Sequence, residues 1–376
     1  MHKVAFALSG GGARGAYIAG AIRYLIQTLP RKLGYTPWPK LVSGASVGTL
    51  NGYCLACHSE AEVKQMTRLW INMSIDQVYR LPMGVFTFLQ SLNRAAYSGG
   101  MLDATPLQQL IKREVSRKTL RYGIHPDRCH AFLAAATHLA SGTNTIFADC
   151  AFPSLEVPNL PGGRVIRTKI SSEHIIASGS VPLLFTPVCI EDEWYLDGGI
   201  NLYAPLNPLI RMGADRILVL GTRSKEDEAA GPTAISPTIS AVTGLTFNAM
   251  GLDHIERDLL AVEQTNQLID WGTEQYGPEF ATLLAKEKNL RRTEVLHLRP
   301  SRSLSLLAQD VFVANKIDAS KTLQWMLAKI HSQSAPGEGS FLLSFLMFDK
   351  LYSRAAEDLG YQDTKNRVDE LLTFFD

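Results

Sequence analysis

Three short stretches of the 376-residue chain combine glycines with a group that can do chemistry. They are Gly10-Gly11-Gly12-Ala13-Arg14-Gly15, Gly44-Ala45-Ser46-Val47-Gly48 and Asp197-Gly198-Gly199. Each follows a short apolar run with strand character. A glycine-rich turn opening a helix points backbone N–H groups at an anion. A serine between two glycines can sit on a sharp strand-to-helix turn that exposes its hydroxyl. A carboxylate at a strand end can take the proton from such a hydroxyl. An anion cradle, a serine nucleophile and a carboxylate base together can move an acyl group through a covalent intermediate.

Each stretch also has a plainer reading. Gly10-x-Gly12-x-x-Gly15 between a strand and a helix matches a dinucleotide-binding fingerprint. That fingerprint calls for an acidic residue about 20 positions on to hold the ribose, and no Asp or Glu precedes Glu60. Ser9 and Ser43 lie close to the first two turns, but they end strands rather than top a turn, which makes them structural. Asp197 could simply cap its own turn. None of the nine histidines occupies a recognisable turn: His174 and His254 fall in helical surroundings and His297 in a strand-like run.

The elements around the turns set the fold class. Lys3–Ser9 reads as a buried strand, Ala16–Leu29 as a helix, Lys40–Ser43 as a second strand and Val47–His58 as the next helix, with Pro30, Pro37 and Pro39 bracketing a loop. Residues 60 to 125 read as less regular helix, with Thr105 capping a helix that Pro106 opens. Strand-like runs return at Ala131–Ala136, Thr145–Ala148, Trp194–Leu196 and Arg216–Gly221, and Ser171 caps a short helix through Ser178. Ser224–Pro237 and Ser334–Ser340 read as loops. Leu252, Ile255, Leu259, Val262 and Ile269 keep helical spacing, interrupted by Asn266, and Arg354–Phe375 reads as amphipathic helix. The alternation predicts an α/β protein with a central, mostly parallel sheet and helices on both faces. A mostly helical C-terminal region, 223–376, is expected to pack on a core spanning 1–222.

Composition is that of a globular protein, 46% hydrophobic with net charge +1, which argues against a nucleic-acid partner. The basic residues ahead of Glu60 (Lys3, Arg14, Arg23, Arg31, Lys32, Lys40) suit an anionic substrate or a developing oxyanion. They equally suit a segment whose acidic partners lie elsewhere in sequence. Five scattered cysteines point to reduced thiols, and Cys54 and Cys57 read as buried helix packing. A cleavable signal peptide is not expected, since Val4–Leu8 leads straight into the first glycine turn. No apolar run reaches bilayer-spanning length. The expected location is cytoplasmic, with transient membrane-surface contact, for which Phe86, Phe88 and the run Phe341–Phe348 are the candidates; the default for that run is docking on the protein itself, with lipid or a partner as the alternatives.

The order of these parts resembles the patatin-like phospholipases. The connecting runs Tyr97-Ser98-Gly99-Gly100-Met101-Leu102-Asp103, Ala177-Ser178-Gly179-Ser180-Val181-Pro182 and Met212-Gly213-Ala214-Asp215-Arg216-Ile217 agree with it, over residues 1 to about 222. The resemblance implies a three-layer α/β/α fold and a Ser–Asp dyad without histidine. By matched position Ser46 is the nucleophile and Asp197 the base. Gly10, Gly11 and Gly12 line the oxyanion hole, and Arg14 braces that loop, a phosphate head group being its other candidate partner. Gly15, Gly44, Gly48, Gly198 and Gly199 shape the turns. One departure is Tyr203, two residues before Pro205, where the family commonly has Asn.

The resemblance thus implies a lipid acyl hydrolase acting on phospholipids or lysophospholipids, with no cofactor and no metal. The alternatives are acyl transfer to an alcohol or thiol, disfavoured because Ala45 stands where such enzymes place histidine, and a nucleotide-binding module resting on the first turn alone.

Overall fold

The structure is a computed structural model. It describes residues 2–81, 100–159, 162–200, 202, 205–226, 239–288, 290–332 and 340–376, with the backbone alone over 239–254. Phe86, Phe88 and the rest of Pro82–Leu92, residues 97–99, Tyr203, Ala204, residues 227–237, residues 334–339 and the side chains of Leu252 and His254 lie outside the described residues.

The strands are β1 (Val4–Leu8), β2 (Leu41–Ala45), β3 (Ala131–His138), β4 (Asn144–Cys150), β5 (Gly163–Arg167), β6 (Val188–Ile190), β7 (Glu193–Asp197), β8 (Arg216–Leu220) and β9 (Glu294–Leu298). They form one sheet in the order β5-β4-β3-β2-β1-β8-β9, with β7 paired to β3 and β6 to β7. From β3 to β9 the neighbours run parallel, while β4 and β7 are antiparallel to β3. The central strands are buried on both faces, which is why they read as continuous runs of Ala, Val, Leu and Phe.

Alternation along each strand feeds two cores. Phe6, Leu8, Val42 and Phe132 face one layer of helices, and Ala5, Ala7, Leu41 and Leu133 the other. The helices used below are α1 (Gly15–Arg23), α2 (Val47–Ala56), α3 (Glu60–Asn72), α4 (Thr105–Glu114), α5 (Ser172–Ser178), α6 (Leu206–Arg211), α7 (Ile239–Tyr276), α8 (Leu304–Ala314), α9 (Phe341–Leu346), α10 (Lys350–Asn366) and α11 (Val368–Phe375). Side chains of α1 to α5 and α8 to α11 fill the first core, while α6 and α7 cover the second. The fold is three-layered, α/β/α.

The C-terminal part is woven into this frame. β9 is the sheet's edge strand beside β8, and α10 lies across α1 at a glycine crossing. A Cβ on Gly20 would sit 1.8 Å from the Glu357 carbonyl oxygen, and one on Gly360 would sit 2.0 Å from that of Tyr17. Only glycine permits backbones this close. Arg23 grips Glu357 through two hydrogen bonds and stacks on Tyr361 beside the crossing.

Two local expectations differ from the structure. Pro30 does not open a loop: the chain makes a wide turn at Tyr24–Thr28 and a further helical turn at Pro30–Leu33, because a proline in the first turn forfeits no helical hydrogen bond. Thr105 does not cap α4 but is its first residue: Ala104 holds the cap position without a side-chain bond, and Asp103 just outside accepts from the Thr105 N–H at 2.9 Å. The run Phe341–Phe348 takes its default course and docks on the protein itself: Leu343, Leu346 and Met347 are almost wholly covered, because α9 is seated on the first glycine loop. Among the described residues no helix is long and apolar enough to cross a membrane.

Candidate active site

The sheet brings Ser46 and Asp197 together through β3. β2 pairs with β3 as far as Ala45 opposite Ala135, and β4 occupies the other edge of β3 throughout. β7 takes over the edge that β2 vacates, placing Asp197 opposite Ala136. Ser46 therefore leaves the sheet where Asp197 enters it. β7 reaches this place through a tight β6–β7 hairpin, whose two turn residues, Glu191 and Asp192, both have positive φ as a type I′ turn requires. That turn has no glycine, so it left no signal in the sequence.

Ser46 caps α2 with φ 55° and ψ −128°, a conformation that costs about 1–3 kcal/mol for a side-chain-bearing residue. The surroundings hold it there. Its N–H donates to Ser178 Oγ at 3.0 Å, and Ser178 is in turn bonded to Thr49 Oγ1 at 2.8 Å. On either side of Ser46, Gly44 ends up beneath the first turn of α2 and Gly48 against β1. A Cβ on Gly48 would meet the Leu8 carbonyl oxygen at 2.3 Å. The helix end beneath Ser46 favours negative charge at its hydroxyl.

Asp197 is buried, and its carboxyl is pushed up to about 7. Burial is the dominant cause, opposed by the nearby Ser46 hydroxyl and the Gly199 N–H. Oδ1 accepts from that N–H at 2.6 Å. Oδ2 is buried without a hydrogen-bond partner, so Ser46 is close enough to influence the carboxyl but not yet bonded to it. Catalytic hydrogen bonds are commonly this loose before substrate arrives. Gly198 turns the chain directly against the Ala135 carbonyl, which a Cβ would approach to 2.2 Å.

The first glycine loop closes the third side. Gly10 accepts from Thr222 Oγ1 at 2.8 Å, and Gly11 has φ 148°. Gly12 opens a short 3₁₀ turn and lines the same cleft as Ser46, while Gly15 begins α1 and accepts from Asn51 at 2.9 Å. The N–H groups at the start of such a turn have no partner within it. A Cβ on Gly12 would strike the Phe345 carbonyl oxygen at 2.4 Å, because α9 packs directly on the loop.

Arg14 is 2% exposed and fastens that contact. It donates to Ser344 at 2.9 Å and Ser305 at 2.8 Å, and lies 4.0 Å over the Phe341 ring. Arg14 is not among the residues lining the cleft. Arg14→Ala is expected to leave two buried hydroxyls short of a donor and to open a void. It should cost about 2–4 kcal/mol in urea denaturation, and an unchanged midpoint would count against the clamp. Of the other early cations, Arg23 has found Glu357, and the Lys3 ammonium donates to the Met212 carbonyl at 3.1 Å.

Leu50 of α2 and residues distant in sequence, Trp70, Val181, Phe345 and Phe348, complete the cleft. Among the described residues, no histidine and no charged side chain lines it. His174 is buried and His297 half-buried elsewhere, and desolvation lowers each to about 4. Ser9 and Ser43 bond to the carbonyls of Gly10 and Pro205. The Cys54 and Cys57 thiols are buried and pushed well up. Sequence reasoning passed over Ser178, although it lies in the Ala177–Pro182 run quoted above. It had no signal for the α9 residues, some 300 positions from the loop they cover.

Residues 6–210 match a family model described as patatin-like phospholipase. An uncharacterised protein, R571, of Acanthamoeba polyphaga mimivirus is 26% identical over 203 residues, covering 53% of this chain and 59% of that protein. The chain thus spans about three-fifths of that relative's length. Among solved structures, VipD from Legionella pneumophila aligns with 98% of this chain and 67% of its own, at TM-score 0.37 and 13% identity. Human GIVD cytosolic phospholipase A2, in complex with methyl gamma-linolenyl fluorophosphonate, aligns with 99% of this chain and 58% of its own, at TM-score 0.40 and 13% identity.

Proposed function

The chain belongs to the patatin-like phospholipase family, and on that premise we propose that it is a serine lipid acyl hydrolase working through a Ser46–Asp197 dyad. One observation carries this reading: a strained, helix-capping Ser46 stands beside a buried carboxylate whose Oδ2 has no other partner. Asp197 takes the Ser46 proton as Oγ attacks the ester carbonyl. The N–H groups of the Gly10–Gly12 loop receive the resulting oxyanion. The intermediate then collapses, and the alcohol leaves with the proton from Asp197. Water, deprotonated by Asp197, next attacks the acyl-Ser46 ester, and the acyl–Oγ bond breaks as Asp197 returns that proton to Ser46 Oγ, releasing the fatty acid.

The carboxyl's elevated pKa fits this cycle, because a base must accept a proton and return it near neutral pH. The uncharged lining suits an acyl chain and leaves the head group outside. Esters of phospholipids and lysophospholipids, presented at a lipid surface, are the proposed substrates. Incubation with a fluorophosphonate followed by mass spectrometry of the peptides tests the reading. Modification is expected on Ser46 alone, and modification at another serine, or none, overturns it.

A further inference from the structure

Two apolar cavities lie side by side in the first helical layer. One, of about 40 Å³, opens at Ser46. The other, of about 30 Å³, lies among α2, α3 and α4. They share a partition of four side chains, Leu50, Trp70, Met73 and Ile111. We propose that the two cavities are one interrupted acyl channel, so that the enzyme selects long, unbranched acyl chains whose methyl end reaches the second cavity. This rests on the acyl-hydrolase reading and adds the identity of the acyl group.

The partition has one movable part. Trp70 is anchored, since its indole N–H donates to Asn51 at 2.9 Å and its ring stacks on Phe348 at 6.2 Å. Met73 lies just past the end of α3, and its unbranched side chain rotates about three bonds. A slender chain can displace it, whereas a branched or ring-bearing acyl group would have to displace Trp70 or Leu50, which are rooted in helices.

The far end supports the direction of threading. The second cavity is bounded by Glu62, Gln65 and Glu114, and Gln65 bridges to Glu114 at 2.5 Å. Carboxylates there oppose an acyl chain that ends in a second carboxylate, and accommodate one that ends in a methyl group short of them. Neither cavity alone holds more than a few waters' worth of space. Joined by displacement of Met73, they form the longer apolar path that a fatty chain needs.

The test is a series of monomeric 4-methylumbelliferyl esters on the full chain. For the wild type, kcat/KM for decanoate is expected to exceed that for butanoate by at least about tenfold, because each further buried methylene adds binding. A value that is flat or falling beyond butanoate overturns the channel. Filling the second cavity by Cys54→Leu or Val115→Phe should cut the decanoate-to-butanoate ratio about tenfold, and an unchanged ratio in a variant that still hydrolyses butanoate also overturns it. Should both variants fail to fold, Met73→Ala decides: a raised ratio supports the channel, an unchanged or lowered one sinks it. Absence of hydrolysis for every ester by the wild type would instead remove the acyl-hydrolase reading itself.

Discussion

Ser46→Ala is expected to lower kcat/KM for ester hydrolysis by about 10⁴-fold or more, the scale seen when a member of a nucleophile–base unit is removed. The fold should survive, because alanine is smaller and the Ser46 N–H bond to Ser178 is made by the backbone. Among the described residues no hydroxyl is hydrogen-bonded to Asp197 Oδ2, so none stands ready to inherit the role. Ser9 and Ser43 are committed to the carbonyls of Gly10 and Pro205. Ester turnover measured beside far-UV circular dichroism checks this. A folded variant retaining even a tenth of wild-type activity would exclude Ser46 as the nucleophile.

Asp197→Asn is expected to do two opposite things. Activity should fall about as far as with Ser46→Ala, since an amide cannot take the hydroxyl proton. In the wild type the ionised carboxylate is the working form, so kcat/KM should rise with pH through about 7. Stability should respond in the reverse sense. The folded carboxyl holds its proton up to about 7, whereas the unfolded one releases it near 4. The wild type therefore loses stability as pH rises between those values, by up to about 4 kcal/mol. Asparagine does not ionise, so the variant should be about 2–4 kcal/mol more stable than wild type at pH 8 and nearly equal to it at pH 4. Urea denaturation at both pH values checks it, and a variant less stable at pH 8 would show that Asp197 does not bear the burial penalty described here.

The parts of this architecture that declare themselves locally were readable from the residues. β1, the glycine loop, the turn at Ser46 and the helix after it follow one another within 60 positions, each with its own periodicity or glycine signal. Asp197 was readable for the same reason, since two glycines mark its turn. What was not readable is what depends on distance. β9 reads as a strand-like run around His297, but nothing local says that it joins the sheet beside β8. The inward seating of Phe341–Phe348 on Gly12 needs α8, α9 and the first loop to meet across some 330 positions. An apolar run carries the same signal whether it covers a catalytic loop or a lipid surface. The Glu191–Asp192 turn escaped because its two residues adopt positive φ without glycine.

The Gly20–Gly360 crossing has a consequence for synthesis. α1 follows directly from the glycine loop, yet the backbone that seats it, from Glu357 to Tyr361, leaves the ribosome more than 330 residues later. Arg14 likewise waits for Ser305 and Ser344. A nascent chain with residues 1–222 already exposed carries Ser46 and Asp197 but an unsupported cradle between them. On the proposed function, hydrolytic competence is thereby deferred until residues 341–361 have been made, and a product truncated before them is expected to be a poor hydrolase.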